Sequence, residues 1–317
     1  MFIVSAILDY IYSKPITKCW KKRREIKHLH QARVESHVSN RKKPIYYIIR
    51  YDDGMSCGWT VWERVALYGS IYAEDHHMIP VVDMQNKKNI YLEDHEVGCV
   101  NAWEKYYYQP GDVSLEEALL SNNYVLADSS QEWFEYIRIR KPYRFTTNYL
   151  RKQYSKYIRL NTDTLIKCEQ NFKSICPDEN IDARIMGICL RGSDYLLYNH
   201  PIQPSSRNVI SEVKKVFKSL KCDYYFLATE DNNIFEDIKK QLPSELLFTY
   251  HAGEIKKANG LIGQQIRQSK TADEASIDYL TTLYILNRCV GLVGGKCGAT
   301  IVAEYRKNPP YEHFHIF

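Results

Sequence analysis

The residues best suited to chemistry lie in a polar turn that directly follows an apolar run. Residues 185–190 are apolar and predict a buried strand, which ends at Arg191-Gly192-Ser193-Asp194. An arginine and a carboxylate at the carboxyl end of a buried strand lie where open α/β sheets bind ligands. A planar guanidinium can donate two parallel charge-assisted hydrogen bonds to a phosphate, so the turn predicts an anion contact at Arg191.

Two further predicted strands end in residues that could contact the same ligand. The strand over 223–228 is followed by Thr229, Glu230 and Asp231, and the strand over 290–293 by Gly294 and Gly295. The carboxyl ends of parallel strands share one edge of a sheet, so these residues would converge on one crevice. Two glycines before a helix let backbone N–H groups approach an anion, while carboxylates suit ribose hydroxyls or a guanine edge. This mixture favours a nucleotide sugar over a simple phosphate ester.

Each of these turns also has an ordinary structural explanation. Arg191 and Asp194 could form an ion pair within their turn. Residues 229–231 could cap the helix that follows them, and the two glycines at 294–295 could allow close packing of a strand on a helix. The sequence alone leaves these alternatives open.

Several common catalytic and metal-binding patterns are absent from the sequence. There is no GxxxxGK[ST] loop, GxGxxG fingerprint or GxSxG elbow, which argues against P-loop kinases, dinucleotide oxidoreductases and α/β-hydrolases. The nine cysteines include no CxxC pair, which disfavours a zinc cluster or disulfide framework and indicates a reducing, cytoplasmic compartment. The histidine pairs at 76–77 and 313/315 have no matching acid cluster, so we predict packing or surface histidines and no metal site.

Positive charge is concentrated at the amino terminus. Residues 1–50 hold 12 Lys and Arg against 3 Asp and Glu, whereas the rest of the chain is slightly acidic. A nucleic-acid-binding core would carry its basic residues on the fold itself, so nucleic acid is not an expected partner. Residues 1–27 combine a short apolar segment with a basic cluster. They could lie on the inner face of an anionic membrane, or form an ordinary helix with a solvated basic face.

Strands and helices alternate along the chain after this arm. The first half predicts a strand over 45–50, a glycine loop, a helix over 59–73, a strand over 79–82 and a short helix capped by Ser114. The second half predicts strands over 185–190, 223–228, 246–250 and 290–293, with helices between them. This alternation is typical of an α/β fold with doubly wound parallel sheets. Turn residues near 176–180 suggest a boundary, giving an arm over 1–44 and domains over 45–178 and 179–317.

Three segments of the second half resemble the donor-binding motifs of GDP-fucose-dependent fucosyltransferases. They are GICLRGSDY at 187–195, FLATEDNNIF at 226–235 and ASIDYLTTLYILNRCVGLVGGKCGATIVAEY at 275–305. The first is similar to the pattern H-x-R-[RG]-[TGS]-D of the α-1,6, α-1,2 and protein O-fucosyltransferases. In the first half, GMSCGWTVWERVALYGSIYAEDHHMIPVVDM and NAWEKYYYQP resemble bacterial family members that act on surface glycans. The resemblance covers about residues 45–317.

The resemblance implies a GT-B fold, in which two Rossmann-like, doubly wound domains face each other across a cleft. It implies inverting transfer of fucose from GDP-fucose to a glycan hydroxyl, with no metal and no other cofactor. The second domain would bind the donor, and the first would hold an oligosaccharide or lipid-linked glycan acceptor. Arg191 matches the arginine that stabilises the departing diphosphate, whose negative charge grows in the transition state.

The matched motifs imply a set of site residues. Arg191 and Asp194 would serve catalysis, and the donor would be contacted by Gly192, Ser193, Tyr195, Thr229, Glu230, Asp231, Asp278, Gly294, Gly295 and Thr300. The resemblance does not identify the general base, for which Asp53 and Glu63, near the glycine loop, are the candidates.

The chain departs from the family pattern at two positions. Cys189 stands where the family has histidine, and Gly192 where some members have a second arginine. Cysteine in place of histidine removes a hydrogen-bond donor near the nucleotide. An alternative is therefore a catalytically weak or inactive relative that binds a nucleotide or glycan within a surface-polysaccharide assembly.

Overall fold

The computed structural model describes most of the chain beyond its basic arm. The described residues are 34–51, 57–86, 88–127, 133, 137, 146–177, 183–196, 200–256 and 262–317. Residues 1–27, predicted to contact a membrane, lie outside them, as does Asp53. At Asp194 the backbone is described and the side chain is not.

The first half of the chain forms a four-stranded sheet flanked by helices. Its elements are β1 (Val34–Ser36), β2 (Tyr46–Ile49), α1 (Trp59–Asp75), β3 (Ile79–Val82), α2 (Ala102–Tyr106), α3 (Leu115–Leu120) and β4 (Tyr124–Ala127). The strand order is β1-β4-β2-β3, with β2 parallel to both neighbours and β1 antiparallel to β4. The predicted strands β2 and β3 and helices α1 and α3 are confirmed. In contrast, β1 lies within the residues interpreted as an arm, and β4 was not predicted.

Local sequence explains these elements. The strand β2 is a run of β-forming residues, Tyr-Tyr-Ile-Ile, whose last three side chains are buried. The helix α3 begins at Ser114, whose side chain accepts a hydrogen bond from the backbone N–H of Glu117 at 3.1 Å. This cap satisfies one of the free N–H groups of the first helical turn, as the sequence predicts.

Two helices, α4 (Thr147–Tyr157) and α5 (Thr162–Ile175), connect the halves. The second half contains β5 (Ile185–Cys189), a 3₁₀ turn (Ser193–Leu196), α6 (Ser206–Phe217), β6 (Tyr224–Ala228), α7 (Asn232–Lys239), β7 (Leu247–Thr249), α8 (Ile262–Ile266), α9 (Ala272–Arg288), β8 (Gly291–Gly294), α10 (Gly298–Arg306) and β9 (His313–Ile316). All five strands are parallel, in the order β7-β6-β5-β8-β9. The doubly wound sheet is confirmed; β9 was not predicted. None of the helices within the described residues is long and apolar enough to cross a bilayer.

The two halves share a continuous core, because α10 packs against α1 and α4, and α9 packs against α5. A buried ion pair lies within this contact, between Arg306 of α10 and Glu63 of α1. The Tyr107 hydroxyl donates to Glu63 Oε1 at 2.6 Å, and Arg306 Nε donates to the Tyr154 hydroxyl at 3.1 Å. These partners offset the cost of removing both charges from water. The interpretation of Glu63 as a general base is therefore corrected: its side chain has no exposure and serves the contact between the halves.

Candidate functional site

The second sheet provides a crevice at the point where its strand order reverses. From β5 the chain proceeds to β6 and β7 on one side of the sheet, and then crosses to β8 and β9 on the other side. The crossovers that leave β5 and β8 therefore diverge above the carboxyl ends of these adjacent strands. In doubly wound sheets this switch point is where ligands bind. The turns predicted from sequence to bind an anion follow these two strands and β6.

The guanidinium of Arg191 lies at the carboxyl end of β5 and is held from two sides. Its Nε is 3.1 Å from Oε1 of Glu230, which follows β6, and the same oxygen accepts from the backbone N–H of Gly192 at 3.0 Å. The guanidinium carbon lies 5.0 Å from the ring centroid of Tyr195. The side chain of Arg191 is 20% exposed, so it remains accessible to a ligand while these contacts fix its orientation.

The carboxylate of Asp231 organises the turn after β5. Its Oδ2 accepts from the backbone N–H of Ser193 at 2.9 Å, and its Oδ1 caps α7 by accepting from Asn233 and Ile234. Ser193 has a positive φ of 40°, a strained conformation for a residue with a side chain, and this hydrogen bond holds it there. A Cβ on Gly192 would lie 2.3 Å from Asp231 Oδ2, so only glycine fits. The capping role left open by the sequence therefore applies to Asp231.

Thr229 belongs to the same turn. Its hydroxyl accepts from the backbone N–H of Asp231 at 3.3 Å, and its carbonyl accepts from the N–H of Gly253 at 3.1 Å. The side chain of Thr229 is buried, as is that of Asp231. Both residues thus support the turns of the site from the protein interior. Glu230, between them, points its carboxylate at the Arg191 turn.

The turn after β8 packs directly against the end of β5. Gly294 is the register partner of Cys189, and the backbone N–H of Gly295 donates to the Cys189 carbonyl at 3.1 Å. A Cβ on Gly294 would lie 2.1 Å from that carbonyl oxygen, which is why a glycine is needed. The Thr300 hydroxyl donates to the Gly295 carbonyl at 2.9 Å and accepts from the N–H of Cys297 at 3.0 Å. Thr300 is fully buried, so it stabilises the turn from within, and its predicted contact to a phosphate stays a prediction.

Asp278 lies apart from the Arg191 turn, beside the end of β7. It accepts from the Tyr250 hydroxyl at 3.0 Å and pairs with Lys270 Nζ at 2.7 Å. The loop after β7 reaches the site through the backbone of Ile255, which donates to the Glu230 carbonyl. The structure thus brings together Arg191, Gly192, Ser193, Tyr195, Thr229, Glu230, Asp231, Gly294 and Gly295, with Thr300 beneath them and Asp278 further along the same edge.

Sequence reasoning missed Gln203, which connects two of the turns. Its Oε1 lies 3.3 Å from the backbone nitrogen of Arg191, and its Nε2 donates to the Lys296 carbonyl at 3.1 Å. A Cβ at Gly295 would lie 1.9 Å from Gln203 Oε1, so the glycine makes room for this amide. Residues 200–204 carry no pattern that would have predicted this contact.

Two further residues that sequence reasoning missed, Thr60 and Tyr279, bring the halves together beside the site. Thr60 lies in the first turn of α1, and a Cβ on Gly298 of α10 would be 2.5 Å from its Oγ1. The Thr60 side chain and the Arg191 charge both act on the Tyr279 hydroxyl, which comes from α9. Burial raises the pKa of Tyr279 well above its usual value, and the Arg191 charge only partly opposes this effect. Tyr279 is therefore protonated at neutral pH and suited to donate a hydrogen bond.

The histidine pairs considered as metal ligands in the sequence contain rings that stack on other rings. His76 stacks on Tyr72 with ring centroids 4.0 Å apart, and His313 and His315 lie on β9 with their rings parallel. Within the described residues there is no group of three His, Cys, Asp or Glu that could hold a metal ion.

Comparison with known proteins identifies the fold. No protein-family model matches the chain, and no curated protein matches it in sequence. A solved structure of NodZ α-1,6-fucosyltransferase soaked with GDP-fucose matches 84% of this chain and 93% of its own, at 12% identity and a TM-score of 0.50. The chain has the GT-B fold of the fucosyltransferases.

Two other solved fucosyltransferase structures are similar to a lesser degree. NodZ from Bradyrhizobium matches 83% of this chain and 93% of its own, at 11% identity and a TM-score of 0.48. FUT1 from Arabidopsis thaliana, in complex with GDP, matches 96% of this chain and 77% of its own, at 8% identity and a TM-score of 0.47. The GT-B fold expected from the sequence resemblance is confirmed by the NodZ structure soaked with GDP-fucose.

Proposed function

We propose that the protein transfers fucose from GDP-fucose to a hydroxyl group of a glycan. The observation that carries the proposal is the accessible guanidinium of Arg191 at the switch point of the sheet, fixed by Glu230. A nucleotide sugar needs a cation for its diphosphate and acceptors for its hydroxyl groups, and this crevice offers both. The NodZ structure that shares the fold was soaked with GDP-fucose, which makes this donor the first to test.

In the proposed mechanism, an acceptor hydroxyl attacks the anomeric carbon on the face opposite the diphosphate, so the configuration inverts. Negative charge grows on the departing β-phosphate oxygen, and the preoriented Arg191 guanidinium stabilises it. A fixed protein cation supplies this charge without a metal. Asp194 follows Arg191 in the 3₁₀ turn, where it would fix the turn rather than act as the base.

Donor binding and turnover can be measured separately. The melting temperature should rise with GDP and GDP-fucose and not with UDP, and GDP-mannose would measure selectivity for the sugar. Incubation with GDP-fucose without an acceptor should release GDP and fucose slowly, as an enzyme that activates the donor would. No shift with any guanine nucleotide, together with no release, would refute the proposal.

A second candidate is a nucleotide-binding relative with little or no catalysis. The observation that favours it is Cys189, whose buried sulfur faces Cys297 and so cannot replace the donor provided by the family histidine. A thermal shift with GDP-fucose but no release of fucose would support this candidate. In that case a Cys189→His variant would show whether the imidazole alone restores turnover.

The proposal extends to the acceptor and to a membrane contact. By the sequence resemblance, the first half would hold an oligosaccharide or lipid-linked glycan. The apolar segment and basic cluster of residues 1–27 would bring the enzyme to the membrane. Flotation with anionic liposomes should capture the full chain and not a form that begins at residue 34. Equal flotation of both forms would exclude the arm as the membrane contact.

A further inference from the structure

Two buried thiols meet at the base of the candidate site. Cys189 is the last residue of β5, and Cys297 is the N-cap of α10. Their sulfur atoms lie 3.9 Å apart, and each residue is only 3% exposed. Cys189 is two residues before Arg191, and the charge of the guanidinium that would bind the diphosphate acts on both thiols.

The backbone around the two glycines brings these thiols together. Gly294 pairs with Cys189 across the sheet, and the hydrogen bond from Gly295 N–H to the Cys189 carbonyl turns the chain back over the end of β5. Thr300 then fixes Cys297 through the hydrogen bond that its hydroxyl accepts from the Cys297 N–H at 3.0 Å. The pair is therefore a product of rigid secondary structure rather than of a surface loop.

The two thiols have different chemical surroundings. The sulfur of Cys297 lies 3.9 Å from that of Cys189 and accepts a hydrogen bond from the backbone N–H of Thr300, and the nearby Arg191 adds positive charge. These interactions lower the pKa of Cys297 below that of an ordinary thiol despite its burial. The hydrogen bond to Cys297 and burial raise the pKa of Cys189. Cys297, at a helix N-terminus, is thus the more acidic of the two thiols and the better nucleophile, and Cys189 lies in contact with it.

We propose that Cys189 and Cys297 are a redox-active pair that peroxide converts to an intramolecular disulfide, and that this disulfide closes the donor site. The Cys297 thiolate attacks one oxygen of hydrogen peroxide, which forms a sulfenic acid and releases hydroxide, protonated to water. The Cys189 sulfur then attacks the sulfenic sulfur, the S–S bond forms, and the Cys189 proton leaves with the hydroxyl group as water. A dithiol reverses the reaction by exchange, in which it becomes the oxidised partner.

The effect on the site follows from the geometry, and this step rests on the proposed function. The sulfurs must approach from 3.9 Å to about 2 Å, which draws the first turn of α10 toward the end of β5. That movement displaces the turns that carry Arg191 and Gly295, and so disturbs the site where the diphosphate would lie. The reaction also removes the thiolate charge beside Arg191, which lets the guanidinium pair more tightly with Glu230.

The experiment uses the full-length chain, reduced and then treated with increasing amounts of hydrogen peroxide. Peptide mapping by mass spectrometry without reduction should find one peptide pair that links residues 189 and 297, and dithiothreitol should abolish it. The apparent affinity for GDP, measured from thermal shifts, should fall at least tenfold on oxidation and recover on reduction. Bound GDP should slow the formation of the link.

Matched variants and a built-in control make the result interpretable. Cys189→Ser and Cys297→Ser should each abolish the link, whereas Cys222→Ser, which changes a buried cysteine elsewhere in the same half, should form it normally. The exposed Cys99 reports whether peroxide has acted.

Oxidation of Cys99 without a 189–297 link would overturn the redox pair. A link that leaves the GDP shift unchanged would overturn the closure. A link in a protein that shows neither a shift with guanine nucleotides nor release of fucose would refute the proposed function and keep the dithiol chemistry.

Discussion

Arg191 and Glu230 meet where two adjacent strands end, with Nε of the arginine 3.1 Å from Oε1 of the glutamate. The same carboxylate oxygen accepts from the N–H of Gly192, so a single side chain fixes both the backbone and the guanidinium of the turn. The guanidinium is thereby oriented before a ligand arrives. Preorientation of this kind stabilises a transition state more than a mobile surface charge can, because little reorganisation is needed.

Removal of this cation should abolish transfer. We expect Arg191→Ala to lower kcat by about 100-fold to 1000-fold, the cost of losing one preoriented donor to a developing oxyanion. Arg191→Lys should recover only part of the rate, since an ammonium lacks the planar fork. The readout is the rate of GDP release from GDP-fucose. Arg184→Ala changes an arginine at the opposite end of β5, paired with Glu312, and should retain the wild-type rate. Near-normal turnover by Arg191→Ala would contradict the assignment.

The buried ion pair between Glu63 and Arg306 should dominate the stability of the contact between the halves. Arg306→Met removes one partner and leaves a carboxylate uncompensated in the core, which should cost about 3–5 kcal/mol of unfolding free energy. The double variant Glu63→Gln/Arg306→Met should recover part of that loss, because no isolated charge remains. Urea denaturation measures both. If the single variant loses less than about 1 kcal/mol, the pair does not hold the halves together.

Gly294 should tolerate no side chain. A Cβ would lie 2.1 Å from the Cys189 carbonyl oxygen, and that carbonyl is held by Gly295 N–H. We expect Gly294→Ala to cost about 1–3 kcal/mol of stability, as overpacking does, and to weaken GDP binding by separating β5 from β8. Gly58→Ala is the control, since the nearest atom to its Cβ is 3.9 Å away. Equal melting temperatures for the two variants would show that the turn can relax.

Acid should weaken a polar contact between the halves. Lys105 of α2 pairs with Asp273 of α9 at 2.7 Å and with Glu96 at 3.0 Å. Partial desolvation by its neighbours opposes ionisation of Asp273, whose side chain is 64% exposed, but hydrogen bonds from Lys105 and Tyr106 outweigh this effect and lower the pKa of Asp273. Burial likewise opposes ionisation of Glu96, and hydrogen bonds from the Glu93 backbone and Lys105 outweigh it and lower its pKa.

A carboxylate whose pKa is lowered on folding stabilises the folded state above its unfolded pKa, about 4, and loses this effect as pH falls through the folded value. The melting temperature of Asp273→Asn should therefore lie below that of the wild type near neutral pH, and the difference should vanish at strongly acidic pH. Glu169→Gln removes a pair with Lys173 that lies within one helix and makes no contact between the halves, so it should cause a smaller shift. A difference that stays constant with pH would show that ionisation of Asp273 plays no part.

The sequence predicted the turns that form the site better than it predicted the edge strands and the contacts between distant residues. Apolar runs precede Arg191, the residues after β6 and the two glycines. The end of such a run marks the end of a strand, because parallel strands are buried on both faces. The strands β1, β4 and β9 were missed: β1 has the partly polar sequence Val-Glu-Ser, and β4 and β9 are mostly half-buried, so none of them stands out as a buried apolar run. Glu63 was misassigned because a carboxylate near a glycine loop has the same sequence pattern whether it faces a cleft or an arginine in the core.

The sequence by itself determined the alternation of strands and helices and the placement of polar turns at strand ends. These features depend on residues that are only a few positions apart in the chain. Only the tertiary structure decided which turns meet, through the strand order that sets β8 beside β5. It also decided that Gln203 connects two turns and that Cys297 faces Cys189, more than 100 residues away in the chain. Contacts of that kind depend on packing between distant segments, and no local pattern of residues records them.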